Sequence, residues 1–118
     1  MDFEFSAGIE SPPAGMYKAT FDRVEDREKN EHGNSVRFVW EITEGEHQGR
    51  EASRIVGIDR PPSKKNALGR LLAGLGGKAF EPGDKVSPDE FVGKSYLLQV
   101  ADAPGGNGTR VETCMGAN

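Results

Sequence analysis

A single stripe of leucines in the middle of the chain constrains the fold most strongly. Residues 63–77 read SKKNALGRLLAGLGG, and four leucines recur there at i, i+3, i+4 and i+7: Leu68, Leu71, Leu72 and Leu75. This spacing places all four on one face of an α-helix. Ser63 is the predicted N-cap, and Gly76-Gly77 supply the left-handed turn that ends helices. Because β-type patterns lie on both sides, the helix is predicted to close one end of a small β-barrel.

Three β-type segments precede this helix and two follow it, at residues 15–25, 35–43, 50–58, 95–101 and 109–115. The second alternates most clearly, with Val36, Phe38, Trp40 and Ile42 on one face and Arg37, Val39 and Glu41 on the other. Three strands, a helix and two strands is the connectivity of the OB-fold. The sequence therefore predicts a mainly β domain at 15–116, a five-stranded antiparallel barrel with its helix between strands 3 and 4, preceded by an N-terminal arm at 1–14.

Composition narrows the class of protein. The chain has 118 residues, enough for one domain, and a formal net charge of −4. Acidic side chains outnumber basic ones by 13 to 8 in residues 1–60, whereas residues 61–118 hold 6 acidic and 7 basic ones. The single cysteine, Cys114, is predicted to pack as a small apolar side chain. We expect a cytoplasmic protein without a membrane span, because no basic-then-apolar leader and no long apolar run is seen.

No catalytic constellation emerges from the sequence, and we expect neither a metal nor another cofactor. His32 and His47 each adjoin a glutamate in predicted loops, but without a cysteine pair they form no recognisable zinc pattern. Both are predicted to be solvated. The segment 74–78, GLGGK, lacks the Ser or Thr of a phosphate-binding loop and ends a helix instead of starting one.

Basic side chains on the strands and near the helix are the candidate functional residues. Binding of single-stranded nucleic acid needs cations for the phosphates and flat aromatic faces for the bases. On an OB barrel, the outer faces of strands 2 and 3 and the loops between strands 1–2 and 4–5 carry the usual ligand surface. The predicted nucleic-acid-binding residues are Lys18, Arg23, Arg37, Trp40, Arg54, Lys64 and Lys65. Trp40 is the stacking candidate, although a place in the core is the competing interpretation for every strand aromatic.

Four segments carry a resemblance to a known group of proteins: GMYKA at 15–19, EGEHQGR at 44–50, KKNALGRLLAGLG at 64–76 and FVGK at 91–94. In these the chain resembles small phage and prophage OB-fold proteins that bind single-stranded DNA or act in recombination, many of them uncharacterised. The resemblance implies a protein that coats single-stranded DNA during phage replication or recombination. It transfers no DNA-contacting residue, since the matching positions are turn glycines and helix residues.

Two functions therefore remain in competition at this level. The first is a non-enzymatic protein with single-stranded DNA as its partner, acting either as a monomer or as a homo-oligomer. The second is a protein-interaction or structural β-barrel module without nucleic-acid binding, which the acidic balance favours. Whether a candidate strand residue can contact a ligand depends on whether its side chain points into the core or toward solvent. A single β-bulge would reverse this orientation for the residues beyond it.

Overall fold

The computed structural model describes residues 11–26, 34–104 and 108–117. The five strands are β1 (Gly15–Asp26), β2 (Ser35–Ile42), β3 (Glu51–Gly57), β4 (Ser95–Asp102) and β5 (Thr109–Gly116). One α-helix, α1 (Ala67–Gly76), lies between β3 and β4, and a short 3-10 helix spans Pro88–Phe91. The mainly β fold and the position of the helix, both predicted from the sequence, are confirmed. The predicted arm lies outside the described residues as far as position 10.

All five strands belong to one antiparallel sheet with the order β3-β2-β1-β4-β5. The 12-residue strand β1 is central, because its first half pairs with β4 and its second half with β2. Strands β3 and β5 are the two edges, and no backbone ladder joins them in the described chain. The sheet is therefore open in the described chain, whereas the sequence predicted a five-stranded OB-fold-like barrel.

One face of the sheet, the inner face, carries the hydrophobic core. Phe21, Phe38 and Trp40 are fully buried there, with ring centroids 5.4 Å apart for Phe21 and Trp40 and 6.0 Å for Phe21 and Phe38. The alternation in β2 left its buried face open, and the structure buries the face that carries Phe38 and Trp40. The α1 leucines at positions 71, 72 and 75 are buried against the same core. Cys114 is 7% exposed, which confirms its predicted role as a packed apolar side chain.

Helix α1 begins three residues later than the leucine pattern predicted. Its N-cap is Asn66, whose side-chain oxygen accepts a hydrogen bond from the backbone N–H of Gly69 at 2.8 Å. The prediction of Ser63 as N-cap was wrong, because Asn66 supplies the same kind of acceptor closer to the leucine stripe. Lys64 and Lys65 consequently precede the helix and do not belong to its first turn. The predicted glycine end is confirmed, since Gly77 is the C-cap with φ 72°.

Strand β1 contains a bulge that sets which residues face outward. The pairing register with β2 shifts between Phe21 and Arg23, so that Asp22 is the extra residue. Phe21 pairs with Trp40 on the inner face, and Arg23 pairs with Val39 on the opposite, outer face. A bulge adds one residue to the period-2 alternation. It is this bulge that brings Arg23 to the outer face beside β2.

Candidate functional site

A groove of about 410 Å³ lies on the outer face of the sheet, where β2 and β3 meet the connection between β4 and β5. We call it the outer groove. Its described lining residues are Ser11, Glu25, Arg37, Val39, Glu51, Ser53, Ile55, Ala103, Pro104, Thr109 and Arg110. They come from four strands, the β4–β5 connection and the residues before β1. This position agrees with the surface predicted from the sequence.

Strand register explains why these side chains meet. Arg37 is paired with Glu25 of β1 on one side and with Ile55 of β3 on the other. Directly paired residues of an antiparallel sheet point to the same face, so the three share the floor of the outer groove. Val39 is paired with Ser53 in the same way, and its side chain is 1% exposed. Ile55, in contrast, is 42% exposed and offers apolar surface to a ligand.

The start of β5 forms one wall of the outer groove. Ser11 accepts a hydrogen bond from the Thr109 backbone N–H at 3.1 Å, and the Thr109 hydroxyl donates to the Pro12 carbonyl at 2.5 Å. These contacts tie the residues before β1 to β5. Arg110 follows directly, and its Nε lies 3.1 Å from a Glu112 carboxylate oxygen. The wall therefore presents a second arginine opposite Arg37.

Arg37 is the cation of the outer groove with the fewest partners. It forms no ion pair with any residue that the structure describes, and its Nε is buried without a hydrogen-bond acceptor. The Nε of Arg54 is in the same state, so the feature that sets Arg37 apart is its place in the groove lining without an ion-pair partner among the described residues. Arg37 is thus the predicted site residue whose surroundings best fit binding of a phosphate.

Arg23 lies on the same face but is already neutralised. Its Nη1 contacts Glu51 at 2.7 Å and also Asp22, and its Nη2 lies 3.2 Å from both Glu25 and Glu51. The hydrogen bonds with Glu51 and Asp22 raise the pKa of Arg23 well above its ordinary value. A phosphate would have to compete with three carboxylates for this guanidinium. The structure thus provides a reason why Arg23 is a weaker ligand than its position alone indicates.

Arg54 lies on the opposite face from Arg37, which corrects the assignment made from the sequence. It pairs with Phe38, so its side chain projects from the inner face, where it is 12% exposed. Its Nη1 donates to the Val111 carbonyl of β5 at 3.1 Å and lies 3.5 Å from Glu112. Burial lowers the pKa of the Arg54 guanidinium, and nearby Arg110 acts in the same direction. Arg54 bridges the two edge strands and is not available to the outer groove.

The remaining predicted residues are dispersed. Lys18 lies on the outer face of β1, paired with Leu97 of β4, and does not line the outer groove. Lys64 and Lys65 border a different cavity beside α1. Trp40 is 0% exposed, so its indole has no face to offer a base, and the predicted stacking role was wrong. The described lining of the outer groove contains no aromatic side chain at all.

Two residues of the outer groove were missed at the sequence level. Arg110 follows the loop between strands 4 and 5, which the OB comparison placed beside the ligand surface, so its position was a usable signal. Ile55 could have been found from the period-2 pattern of β3 once Ala52 and Val56 were placed inside. His47 also differs from expectation: its side chain is 17% exposed and packs edge-on against Tyr17, with ring centroids 5.8 Å apart. His32 lies outside the described residues.

Neither a metal-binding cluster nor a membrane-spanning helix is present in the part of the chain that the structure describes. Within residues 11–26, 34–104 and 108–117, no three His, Cys, Asp or Glu side chains are grouped closely enough to hold a metal ion. None of the helices in these segments has the length and apolar character required to cross a bilayer. No protein-family model matches the sequence, and no curated protein is significantly similar to it. The functional assignment therefore rests on the geometry and chemistry of the outer groove.

Proposed function

We propose that this chain is a non-enzymatic protein that binds single-stranded DNA in the outer groove, of the kind used in phage replication or recombination. The observation that carries the proposal is Arg37, a cation that lines the outer groove together with Arg110 and forms no ion pair with a described residue. Phosphate oxygens are the acceptors that arginine binds best, in a planar and bidentate geometry.

The topology supports an OB-like relationship. Strand β1 pairs with both β2 and β4, the helix lies between β3 and β4, and the Arg54 side chain links the edge strands β3 and β5. In the OB-fold the same five strands form a partly open barrel, and ligands lie across strands 2 and 3 next to the loop between strands 4 and 5. The outer groove occupies the equivalent place on this sheet.

The chemistry of the outer groove predicts weak and sequence-tolerant binding. Arg37 offers a phosphate contact without a described ion-pair partner, and Arg110 offers a second one in competition with Glu112. Ile55 supplies apolar contact for sugars, and no described aromatic ring of the groove supports base stacking. We expect dissociation constants of about 1–100 μM, the range of nonspecific binding. Two phosphate contacts would give a slope of roughly −1.4 for the logarithm of affinity against the logarithm of salt concentration on a single strand.

Fluorescence anisotropy of a labelled oligo-thymidine strand is the direct test. Wild-type protein should bind this strand more tightly than the duplex, with the shallow salt slope given above. Arg37→Glu should weaken binding at least tenfold, since it replaces a phosphate contact with repulsion. Lys85→Glu, an exposed change of the same charge outside the outer groove, is the matched control and should leave affinity nearly unchanged. Equal losses in both variants, or no binding of the wild-type protein at low salt, would reject the proposal.

The alternative is a protein-interaction module that uses the same outer face. It is favoured by the carboxylates around Arg23, because Asp22, Glu25 and Glu51 give this face an acidic side that repels phosphates. This function predicts no binding of oligo-thymidine and a complex, with a second copy or another protein, that Ile55→Glu disrupts. Sedimentation velocity of the wild-type protein and of this variant distinguishes it from the DNA-binding proposal.

A further inference from the structure

A second cavity of the described chain lies beside α1 and is distinct from the outer groove. It has a volume of about 810 Å³ and lies between the segment before the helix and the segment 79–86 after it. We call it the helix pocket. Cavities of roughly 300–1,000 Å³ accommodate small ligands or a few side chains of a bound peptide. The proposed DNA-binding function does not use this pocket.

Hydrogen bonds preform the wall on the N-terminal side of α1. The Asn66 side-chain oxygen accepts from the Ser63 N–H at 3.1 Å as well as from Gly69, and its Nδ2 donates to the Pro61 carbonyl at 2.9 Å. Gly69 allows the close approach, because a Cβ there would lie 1.8 Å from the Ser63 carbonyl oxygen. The segment before the helix is thus held tightly against α1.

The opposite wall is also preformed. The Asp84 carboxylate accepts a hydrogen bond from the Glu81 N–H at 2.8 Å, which closes a turn. Lys64 of the first wall lies 3.5 Å from the Glu81 carboxylate, so an ion pair connects the two sides. A pocket with fixed walls loses little conformational entropy when it is filled, and this favours binding.

The surface of the helix pocket combines apolar walls with charged side chains of both signs. Glu81, which pairs with Lys64, and Asp84 are its acidic lining residues. Its apolar lining residues are Pro61, Pro62, Leu72, Ala73, Ala79, Phe80, Pro82 and Val86. Lys65 and Arg70 also line it, and neither forms an ion pair with a residue that the structure describes. A matching ligand has bulky apolar groups with carboxylates beside them.

The first ten residues of the chain, MDFEFSAGIE, have this composition. They contain Phe3, Phe5 and Ile9, and they carry three carboxylates, those of Asp2, Glu4 and Glu10. This segment is followed by Ser11, which lines the outer groove. Helix α1, which borders the helix pocket, packs against the inner face of the sheet instead. We propose that the helix pocket of one molecule binds residues 2–5 of a second copy, with the phenylalanines in the apolar part and the carboxylates near Lys65 and Arg70.

Such a contact joins two different surfaces of the same protein. Each bound molecule still has a free pocket or a free N-terminal segment, so association continues head to tail unless the rotation closes a ring. The wild-type protein should therefore form species larger than a dimer as its concentration rises. Phe3→Ala with Phe5→Ala should abolish this association.

A labelled peptide tests the contact directly. The probe is a synthetic peptide with the sequence of residues 1–10, labelled at its C-terminus, titrated with the full-length Phe3→Ala/Phe5→Ala protein so that its own segment does not compete. Saturable binding measured by anisotropy is expected. Adding Lys65→Glu and Arg70→Glu to this protein should weaken binding about tenfold, as expected for two exposed charge pairs that become repulsive.

Charge reversal on both partners separates a specific contact from a misfolded pocket. A peptide carrying Asp2→Lys and Glu4→Lys should bind the Lys65→Glu/Arg70→Glu protein and not its parent. The matched control, Arg50→Glu with Lys94→Glu, reverses the same two residue types on exposed sites outside the pocket and should leave peptide affinity unchanged. Absence of peptide binding, equal losses in the control, or failure of the charge-reversed pair to bind would overturn the proposal. Each readout is independent of DNA, so it can fail while the proposed function stands.

Discussion

Arg37 and Arg54 belong to neighbouring strands, yet they occupy opposite surroundings. Arg37 of β2 pairs with Ile55 and faces the outer groove, where it forms no ion pair with a described residue. Arg54 of β3 pairs with Phe38, is 12% exposed, and reaches the Val111 carbonyl on the far edge of the sheet. One residue of register separates the two cases. The difference shows that strand parity, more than residue type, decides whether an arginine lines the outer groove or contacts the backbone of the opposite edge strand.

The same division applies to the two faces as wholes. On the inner side, polar groups contact the backbone, as when the Tyr96 hydroxyl donates to the Leu75 carbonyl at 2.7 Å. On the outer side, charged groups contact one another near solvent, as Arg23 and Glu51 do. Exposed ion pairs contribute about 0–1 kcal/mol, whereas buried contacts contribute more. We therefore expect inner-face variants to change stability and outer-face variants to change binding.

The largest effect is expected where α1 packs on β5. A Cβ added at Gly74 would lie 2.4 Å from the Cys114 carbonyl oxygen and 2.8 Å from its Sγ. Gly74→Ala should lower the free energy of unfolding by about 3 kcal/mol, because the helix must move away from the strand. Gly116→Ala is the control, since its added Cβ meets nothing within 4 Å. Urea denaturation of both variants is the measurement, and a neutral Gly74→Ala would show that this contact is loose.

The second largest effect is expected at alkaline pH, where buried groups on the inner side of the sheet should lower the free energy of unfolding. Burial raises the pKa of Tyr96 to about 12, and burial likewise raises the pKa of Cys114 to about 12. The fold favours the neutral, protonated form of each group. Each group therefore makes its full contribution to the free energy of unfolding below the ordinary pKa that it has in the unfolded chain. For Tyr96 it is lost as pH rises from about 10 to 12, which corresponds to about 2 kcal/mol. Tyr96→Phe should remove this part of the pH dependence in urea denaturation at pH 9 to 11.5. An unchanged profile would contradict the assignment.

The arginine comparison itself gives a smaller effect. Arg54→Met keeps most of the aliphatic stem but removes the hydrogen bond to Val111, and it should destabilise the protein by about 1 kcal/mol. Arg37→Met removes the same charge from the outer groove and should stay within about 0.5 kcal/mol of the wild type. Thermal or urea unfolding of the pair measures the difference. Equal destabilisation would mean that the two faces do not differ in the way described.

The sequence was informative about the fold because its strongest patterns were local. The leucine spacing predicted α1 and its buried face, and the alternation in β2 predicted a strand, and both elements were confirmed. The face of the sheet to which Arg54 points could not be predicted from local alternation, because β3 has few large apolar residues. It is set by the pairing of Arg54 with Phe38. Ser63 and Asn66 are both common N-caps, and only the packing of Gly69 against Ser63 distinguishes them.

The site was less predictable than the fold. Lys18, Arg37, Arg54 and Lys65 look alike in the sequence, but the structure distributes them over the outer face, the edge of the sheet and the helix pocket. Neutralisation of Arg23 by Glu51 involves residues 28 positions apart. Such contacts depend on tertiary structure, and residue spacing alone does not encode them.

The smallest predicted effect tests whether the carboxylates around Arg23 limit binding in the outer groove. Glu51→Gln removes the strongest of these partners, whose oxygens lie 2.7 and 3.2 Å from the guanidinium. If DNA occupies the outer groove, the affinity of the Glu51→Gln protein for oligo-thymidine should rise about threefold. A phosphate gains access to Arg23 in this variant and no longer meets the repulsive carboxylate. The effect on stability should be about 0.5 kcal/mol or less. Anisotropy titration at low salt is the measurement.

Glu41→Gln separates this local effect from a general change in charge. Glu41 is the direct strand partner of Glu51 and points to the same outer face, but it lies outside the groove lining and pairs with no described cation. Both variants change the net charge by one unit, so electrostatic steering of DNA toward the whole protein changes equally. A gain confined to Glu51→Gln would show that Arg23 is a latent phosphate ligand beside Arg37. The same gain in both variants would mean that the outer face responds only to net charge, and that the groove geometry does not direct the strand.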